Sequence, residues 1–162
     1  MYLYLETFPH SNLSYTLLPS SYARSLEIYL SLSFTLSGSQ ALAVMAGGSI
    51  GALARYVLSS VVTEKLGGNF PYGTLSVNVI GSFLMGFLAI VLVERMELDP
   101  LLRLAIFVGF LGAFTTFSTF SMETMNLFEE GLHARALLNM FISVMLSVLA
   151  VWLGFIIGKT IS

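Results

Sequence analysis

Five hydroxyl side chains and two phenylalanines fill the seven residues from Thr115 to Ser121, TTFSTFS. The surrounding segment is apolar, and no Asp, Glu, Lys, Arg or His occurs between Leu104 and Met122. Polar groups inside a membrane cost free energy unless they face protein or water. Hydroxyl groups can hydrogen-bond an ion, and phenyl edges present the positive part of the ring quadrupole. The cluster therefore predicts a small-ion pore or transporter.

Two glycines, Gly109 and Gly112, precede the adjacent threonines of this cluster. Glycine and threonine are weak helix formers, so we expect the helix to break here and to free carbonyl oxygens near the bilayer midplane. Unwound carbonyls at membrane depth are good ligands for a small hard cation such as Na⁺. Helix packing is the competing interpretation, although the spacing of these glycines is three and the GxxxG motif requires four.

Polar residues also lie in the other apolar segments. Arg55 is the one charged residue of the first segment, and Asn78 brings an amide with four hydrogen-bonding valences into the second. Asn139, Ser143 and Ser147 follow one another at a spacing of four and share one helix face. For Ser143 and Ser147 alone, helix packing is the favoured interpretation, since serine is common at membrane helix interfaces.

Four membrane-spanning helices must carry these residues. The chain is 56% apolar and 10% charged with a mean hydropathy of +0.87, which is far from the composition of soluble domains. Apolar runs extend over about Ala41 to Val62, Leu66 to Val93, Leu104 to Met122 and Ala136 to Gly158. Each approaches or exceeds the roughly 20 residues that cross a bilayer as a helix. The runs do not alternate as barrel strands do, so the sequence predicts an all-α integral membrane protein without a separate soluble domain.

Four spans joined by short linkers place both termini on the same side of the membrane. Lys and Arg residues number three or four on one face and two on the other, so the positive-inside rule gives only a weak orientation. A chain with so little preference could insert both ways, and two opposite copies could pair as an antiparallel dimer; a modest one-way bias is the alternative. The face of the termini carries Arg95, Arg103 and Lys159, plus Arg24 if the N-terminal extension is present, and the opposite face carries Lys65 and Arg135.

Residues 1–44 differ in amino-acid composition from the rest of the chain. They are rich in Ser, Tyr and Pro, and they begin with neither the basic region nor the apolar core of a signal peptide. Starting at Met45 would leave a compact four-span chain. We therefore expect residues 1–44 to be an extension or the product of an upstream start, without an assigned function, and residues 45–162 to form the transmembrane domain.

Three stretches carry a resemblance to a known family: GGSIGALARY (47–56), PYGTLSVNVIGSF (71–83) and GFLGAFTTFSTFSMET (109–124). They resemble the signature stretches of the Fluc fluoride channels, the CrcB-like family of bacteria and archaea, in the same order and at the same spacing. The resemblance implies a plasma-membrane, dual-topology homodimer with two pores that export fluoride passively and protect the cell. It also implies a structural Na⁺ on the two-fold axis, where the third helix is broken.

The resemblance further implies roles for individual residues. The backbone carbonyls of Gly112 and Thr115 would hold the Na⁺, and Phe117 and Phe120 match the paired rings that flank the fluoride sites. Asn78 matches the pore asparagine. Arg55 matches an arginine near the dimer vestibule. The other pore positions implied by the resemblance are Ser118, Thr119, Glu123, Ser143 and Ser147, with Asn139 preceding the last two where some members carry tyrosine.

Other function classes fit the sequence less well. A small multidrug-type transporter also has four short helices, but it depends on an acidic residue in the first helix, and this chain has Arg55 there and no acid. A non-transporting assembly subunit is a third possibility. The two histidines, His10 and His133, have no nucleophile or metal partner at motif spacing, which argues against an enzyme. Without a basic cluster, nucleic-acid binding is unsupported.

Overall fold

A computed structural model describes residues 37–95 and 98–161, and within these ranges it contains helices and turns but no strand. Four helical segments are long and apolar enough to cross a membrane. They are span 1 (Gly38–Leu66), span 2 (Tyr72–Glu94), span 3 (Pro100–Glu129) and span 4 (His133–Thr160). The prediction of an all-α protein with four spans is confirmed for the described part of the chain. Residues 1–36 of the predicted extension lie outside the described residues.

Span 1 is longer than the predicted segment from Ala41 to Val62. It begins at a capping box, in which the Ser37 hydroxyl accepts the N–H of Gln40 and the Gln40 side chain accepts the N–H of Ser37. It ends at Gly67, whose φ of 83° requires glycine or a strained residue. Hydropathy alone placed the boundaries too close together because a helix can continue beyond the hydrocarbon layer into the polar headgroup region.

Spans 2 and 3 each contain π-helical turns. In span 2, the α-helix Tyr72–Leu88 continues as the π-helix Ala89–Arg95. In span 3, the short α-helix Pro100–Arg103 continues as the π-helix Leu104–Leu111. The start of span 3 is capped by Asp99, whose carboxylate accepts the N–H of Leu101 at 2.8 Å.

Two extended residues divide span 3. The α-helix Gly112–Phe114 ends at Thr115 (φ −84°, ψ 157°), and Thr116 follows with φ −151° and ψ 118°. The next α-helix is Phe117–Glu129. We refer to Thr115 and Thr116 as the interruption, because the helical backbone stops and starts again on either side of them.

Small residues let spans 1 and 3 approach backbone to backbone. Gly47 and Gly51, spaced four apart in span 1, are buried. A Cβ atom on Gly47 would overlap the carbonyl of Ala105, and one on Gly51 would overlap the carbonyl of Phe110. This GxxxG-type contact holds the first part of span 3 against span 1 through close van der Waals packing.

A second close contact joins spans 2 and 4. A Cβ on Gly86 or on Gly154 would overlap backbone atoms of the opposite span. Nearer the start of span 2, a Cβ on Gly81 would overlap the side chain of Thr115 of span 3. Span 2 therefore lies directly against the interruption, which brings its polar side chains within reach of span 3.

Candidate functional site

The side chain of Asn78 pairs with the backbone of the interruption. Its Nδ2 donates to the carbonyl of Thr116 at 3.0 Å, and its Oδ1 accepts the N–H of Thr116 at 2.8 Å. Backbone polar groups that leave a helix within an apolar protein need other partners. The amide of Asn78 satisfies both groups of one residue at once, and it ties span 2 to the point where span 3 is interrupted.

This pairing changes the hydrogen bonds of two carbonyl groups. In a continuous α-helix, the N–H of each residue donates to the carbonyl four residues earlier, so Thr116 would donate to Gly112 and Thr119 to Thr115. Here the N–H of Thr116 donates to Asn78, and the N–H of Thr119 donates to the Thr116 hydroxyl at 3.2 Å. The carbonyls of Gly112 and Thr115 have thus lost their helical donors.

Thr116 begins the second part of span 3. Its hydroxyl oxygen caps the helix Phe117–Glu129 by accepting the N–H of Thr119, and the hydroxyl donates to the Thr119 hydroxyl at 3.0 Å. The Ser118 hydroxyl lies 3.3 Å from the same oxygen. Three hydroxyls of the TTFSTFS cluster therefore form one small network, centred on a buried threonine.

The other two hydroxyls of the cluster bond to their own helix. The Thr115 hydroxyl donates to the carbonyl of Leu111 at 3.0 Å, and the Ser121 hydroxyl donates to the carbonyl of Phe117 at 2.9 Å. Such bonds to the preceding turn are the ordinary way for Ser and Thr to satisfy themselves in membrane helices. For these two side chains, the local geometry supports a structural role.

The two phenylalanines of the cluster occupy different environments. Their ring centroids lie 5.4 Å apart with planes tilted by 44°. Phe120 is 8% exposed and belongs to the core, whereas Phe117 is 77% exposed. The ring pair therefore extends from the interior of the chain to its surface. Although the two phenylalanines are only three residues apart, their rings lie in different environments.

A cleft of about 210 Å³ lies between spans 1, 2 and 3. Arg55 contributes a permanent positive charge to it, while Thr119 and Thr74 contribute hydroxyls. The walls are completed by Ala52, Tyr56, Ser59, Val77 and Thr116. The Thr119 hydroxyl can donate to an anion, whereas the proton of the Thr74 hydroxyl is directed to Glu123. A cationic group beside a hydroxyl donor lets the cleft attract anions, and the cleft reaches the interruption through Thr116.

Glu123 is held beside this cleft by span 2. The hydroxyl of Thr74 donates to its Oε1 at 2.8 Å. Its Oε2 is buried and has no hydrogen-bond partner among the described residues. Glu123 therefore keeps one unused acceptor atom inside the protein, next to a threonine that also lines the cleft.

The polar stripe of span 4 forms a hydrogen-bonded chain to span 3. Asn139 is 1% exposed; its Nδ2 donates to the Thr124 hydroxyl at 2.8 Å, and its Oδ1 accepts from the Ser143 hydroxyl at 3.2 Å. The Thr124 hydroxyl in turn donates to the carbonyl of Phe120 at 2.7 Å. Asn139 thus joins the two spans and is bonded by Ser143 from its own helix, while Ser147 is half-buried further along the same helix.

The sequence-based predictions of the site omitted three threonines. Thr74 precedes Asn78 by four residues and so shares its helix face, a signal that was readable from the spacing. Thr116 was recognised only as part of the hydroxyl-rich segment. No spacing rule pointed to Thr124, because its partner Asn139 lies on another span and only the packing of spans 3 and 4 brings them together.

Comparison with known proteins places the chain in a family. The sequence model of the CrcB-like protein, Camphor Resistance (CrcB), matches residues 42–155. The chain belongs to the CrcB-like family. This confirms the resemblance found in the three signature stretches, and the match includes all of the residues of the site described above.

Curated members of the family resemble this chain closely. A fluoride-specific ion channel FluC of Magnetococcus marinus is 54% identical over 118 residues, which cover 73% of this chain and 96% of that protein. The FluC of Acidobacterium capsulatum is 48% identical over 118 residues, covering 73% of this chain and 94% of its own length. The FluC of Methylococcus capsulatus is 50% identical over 120 residues, covering 74% of this chain and 53% of that longer protein.

Proposed function

We propose that this protein is a fluoride-selective ion channel that lets cytoplasmic fluoride leave the cell passively and so protects the cell from fluoride toxicity. The observation that carries the proposal is the 54% identity over 118 residues to a relative named as a fluoride-specific ion channel. The corresponding location is the plasma membrane, which the chain would cross several times. The four spans able to cross a bilayer support a membrane location.

The chemistry of the cleft supports an anion path. Fluoride is small and strongly hydrated, and transferring an ion from water to an idealised low-dielectric medium costs on the order of 20 kcal/mol. Arg55 attracts the anion to the cleft, and the hydroxyl of Thr119, which accepts from Thr116 and keeps its own proton, offers an uncharged donor there. The edge of the Phe120 ring continues this series. Neutral donors and ring edges hold an ion weakly enough that it can leave, which conduction requires.

A structural Na⁺ is the second part of the proposal. The carbonyls of Gly112 and Thr115 fit such a cation, since their helical donors bond elsewhere and carbonyl oxygen is a hard ligand. Gly112 is exposed, so a second copy of the chain can supply further carbonyls to the same ion. Among the described residues, no group of three His, Cys, Asp or Glu side chains could hold a metal, so backbone oxygens would carry the coordination.

An antiparallel homodimer, with the interruption near mid-membrane, is the third part. Extended backbone beside an exposed Gly112 would be costly against lipid, because acyl chains offer no hydrogen bonds. A second copy would cover this surface and the 77% exposed ring of Phe117. The weak bias of Lys and Arg toward one face would let both orientations insert.

Fluoride efflux from liposomes tests the function. The purified full chain is reconstituted, the vesicles are loaded with fluoride, and release is followed with a fluoride electrode. Rapid efflux that excludes chloride and needs no coupled gradient is expected. Cation-dependent drug exchange without fluoride release would instead indicate a small multidrug-type transporter, and the absence of any flux would indicate an assembly subunit.

A further inference from the structure

We propose that Asn78 is a positioning residue for the sodium site: by taking the N–H of Thr116, it keeps the carbonyl of Gly112 free to bind the cation. This inference rests on the proposed function and gives Asn78 a role separate from direct contact with fluoride. It concerns hydrogen bonds within one chain, so it applies to each half of the site independently.

The competition is between two acceptors for one donor. The N–H of Thr116 would donate to Gly112 in a continuous helix, and it donates instead to Asn78 Oδ1 at 2.8 Å. Thr116 is 8% exposed, so water is a poor substitute for either acceptor. If Asn78 is removed, the N–H of Thr116 regains a partner when Thr115 returns to helical dihedrals and restores the bond to Gly112. This change is driven by the cost of an unpaired buried N–H, about 1–3 kcal/mol.

The other contacts at the interruption do not compete for this N–H. The Thr116 hydroxyl is engaged with Thr119 and Ser118, on the side of the following helix. The contact between Gly81 and Thr115 is van der Waals packing and supplies no hydrogen-bond acceptor. Among the described residues, Asn78 is therefore the side chain that decides whether the Gly112 carbonyl is bonded within its own helix or available to an ion.

The acceptor atom matters more than the rest of the amide. Aspartate at position 78 keeps an oxygen at the place of Oδ1, and its protonated form also keeps a donor at the place of Nδ2. The neutral carboxyl therefore accepts the N–H of Thr116 and donates to its carbonyl as the amide does. Leucine has a similar size but no acceptor. The inference therefore predicts that Asn78→Asp retains the sodium ion and Asn78→Leu releases it.

Retention of radioactive sodium measures this directly, without any flux. The purified full chain is loaded with radioactive Na⁺ and passed rapidly through a desalting column in potassium buffer, and the radioactivity that stays with the protein is counted. Compared with the original sequence, Asn78→Leu is expected to retain about 10–100-fold less sodium, the usual loss when a partner that orients a metal ligand is removed. Asn78→Asp is expected to retain as much as the original sequence.

Asn139→Leu serves as the matched control, since it removes another buried amide that joins span 3 to a neighbouring span but does not touch the interruption. It should retain sodium.

Size-exclusion chromatography accompanies each measurement to show whether the variant is monodisperse. If Asn78→Leu is not monodisperse, the result for Asn78→Asp decides, and loss of sodium from Asn78→Asp would overturn the inference. Undiminished retention in a monodisperse Asn78→Leu would overturn it as well. An original chain that neither binds sodium nor conducts fluoride would instead contradict the proposed function.

Discussion

Replacing Asn139 with leucine tests whether the hydrogen-bonded chain between spans 3 and 4 stabilises the fold. The side chain is 1% exposed and makes two bonds, to Thr124 at 2.8 Å and from Ser143 at 3.2 Å. Leucine has a similar volume, so lost hydrogen bonding should dominate. Bonds between membrane helices average about 0.6 kcal/mol and reach about 1.7. Only the bond to Thr124 is of this kind, because Ser143 lies on the same helix as Asn139, so the predicted loss in the free energy of unfolding is about 0.5–2 kcal/mol.

The size of the loss depends on what the former partners do. Thr124 keeps its own donation to the carbonyl of Phe120, at 2.7 Å. The Ser143 hydroxyl can turn to the carbonyl of residue 139, four residues earlier in its own helix. The first bond, to Thr124, is therefore the one that no local contact replaces, and the loss should lie nearer the lower end of the range.

Reversible unfolding of the detergent-solubilised protein provides the assay, with a double-mutant cycle to isolate the pair. Asn139→Leu and Thr124→Val should each destabilise, and the double variant should lose less than the sum of the two, since both single changes remove the same bond. Ser147→Ala is the control on the same helix, where about 0.5 kcal/mol or less is expected because the side chain is half-buried. Strictly additive losses, or an Asn139→Leu variant as stable as the original chain, would refute the reasoning.

Three further predictions concern the rings, the packing at the interruption and the charge of the cleft. Phe117→Ile and Phe120→Ile are each expected to lower fluoride efflux by about tenfold or more while the dimer still forms in cross-linking; full flux in both would remove the rings from the mechanism. Gly81→Val should destabilise the fold by about 1–3 kcal/mol in the unfolding assay because its side chain would overlap Thr115, whereas Gly68→Val, around which the structure leaves open space, should be tolerated. Arg55→Gln should slow efflux at low ionic strength and less so at high salt, and an effect that is independent of salt would contradict electrostatic attraction.

Much of the architecture was predictable because membrane spans are determined by local composition. Runs of about 20 apolar residues must form helices, since a backbone inside lipid has to satisfy its own hydrogen bonds. The ends were harder to place: span 1 begins at Gly38 and not near Ala41, because capping by Ser37 is specific and hydropathy changes gradually. The signature stretches were sufficient to identify the family, which the match over residues 42–155 confirmed.

The sequence by itself therefore determined the number of spans, the family and the residue types of the site, because these depend on neighbours within a few positions. Only the tertiary structure decided the partners. Asn78 pairs with Thr116 across 38 residues of chain, and Asn139 pairs with Thr124 across 15. A hydroxyl or an amide bonds to whatever donor or acceptor the packing places within about 3 Å, and that distance depends on where glycines let two helices approach.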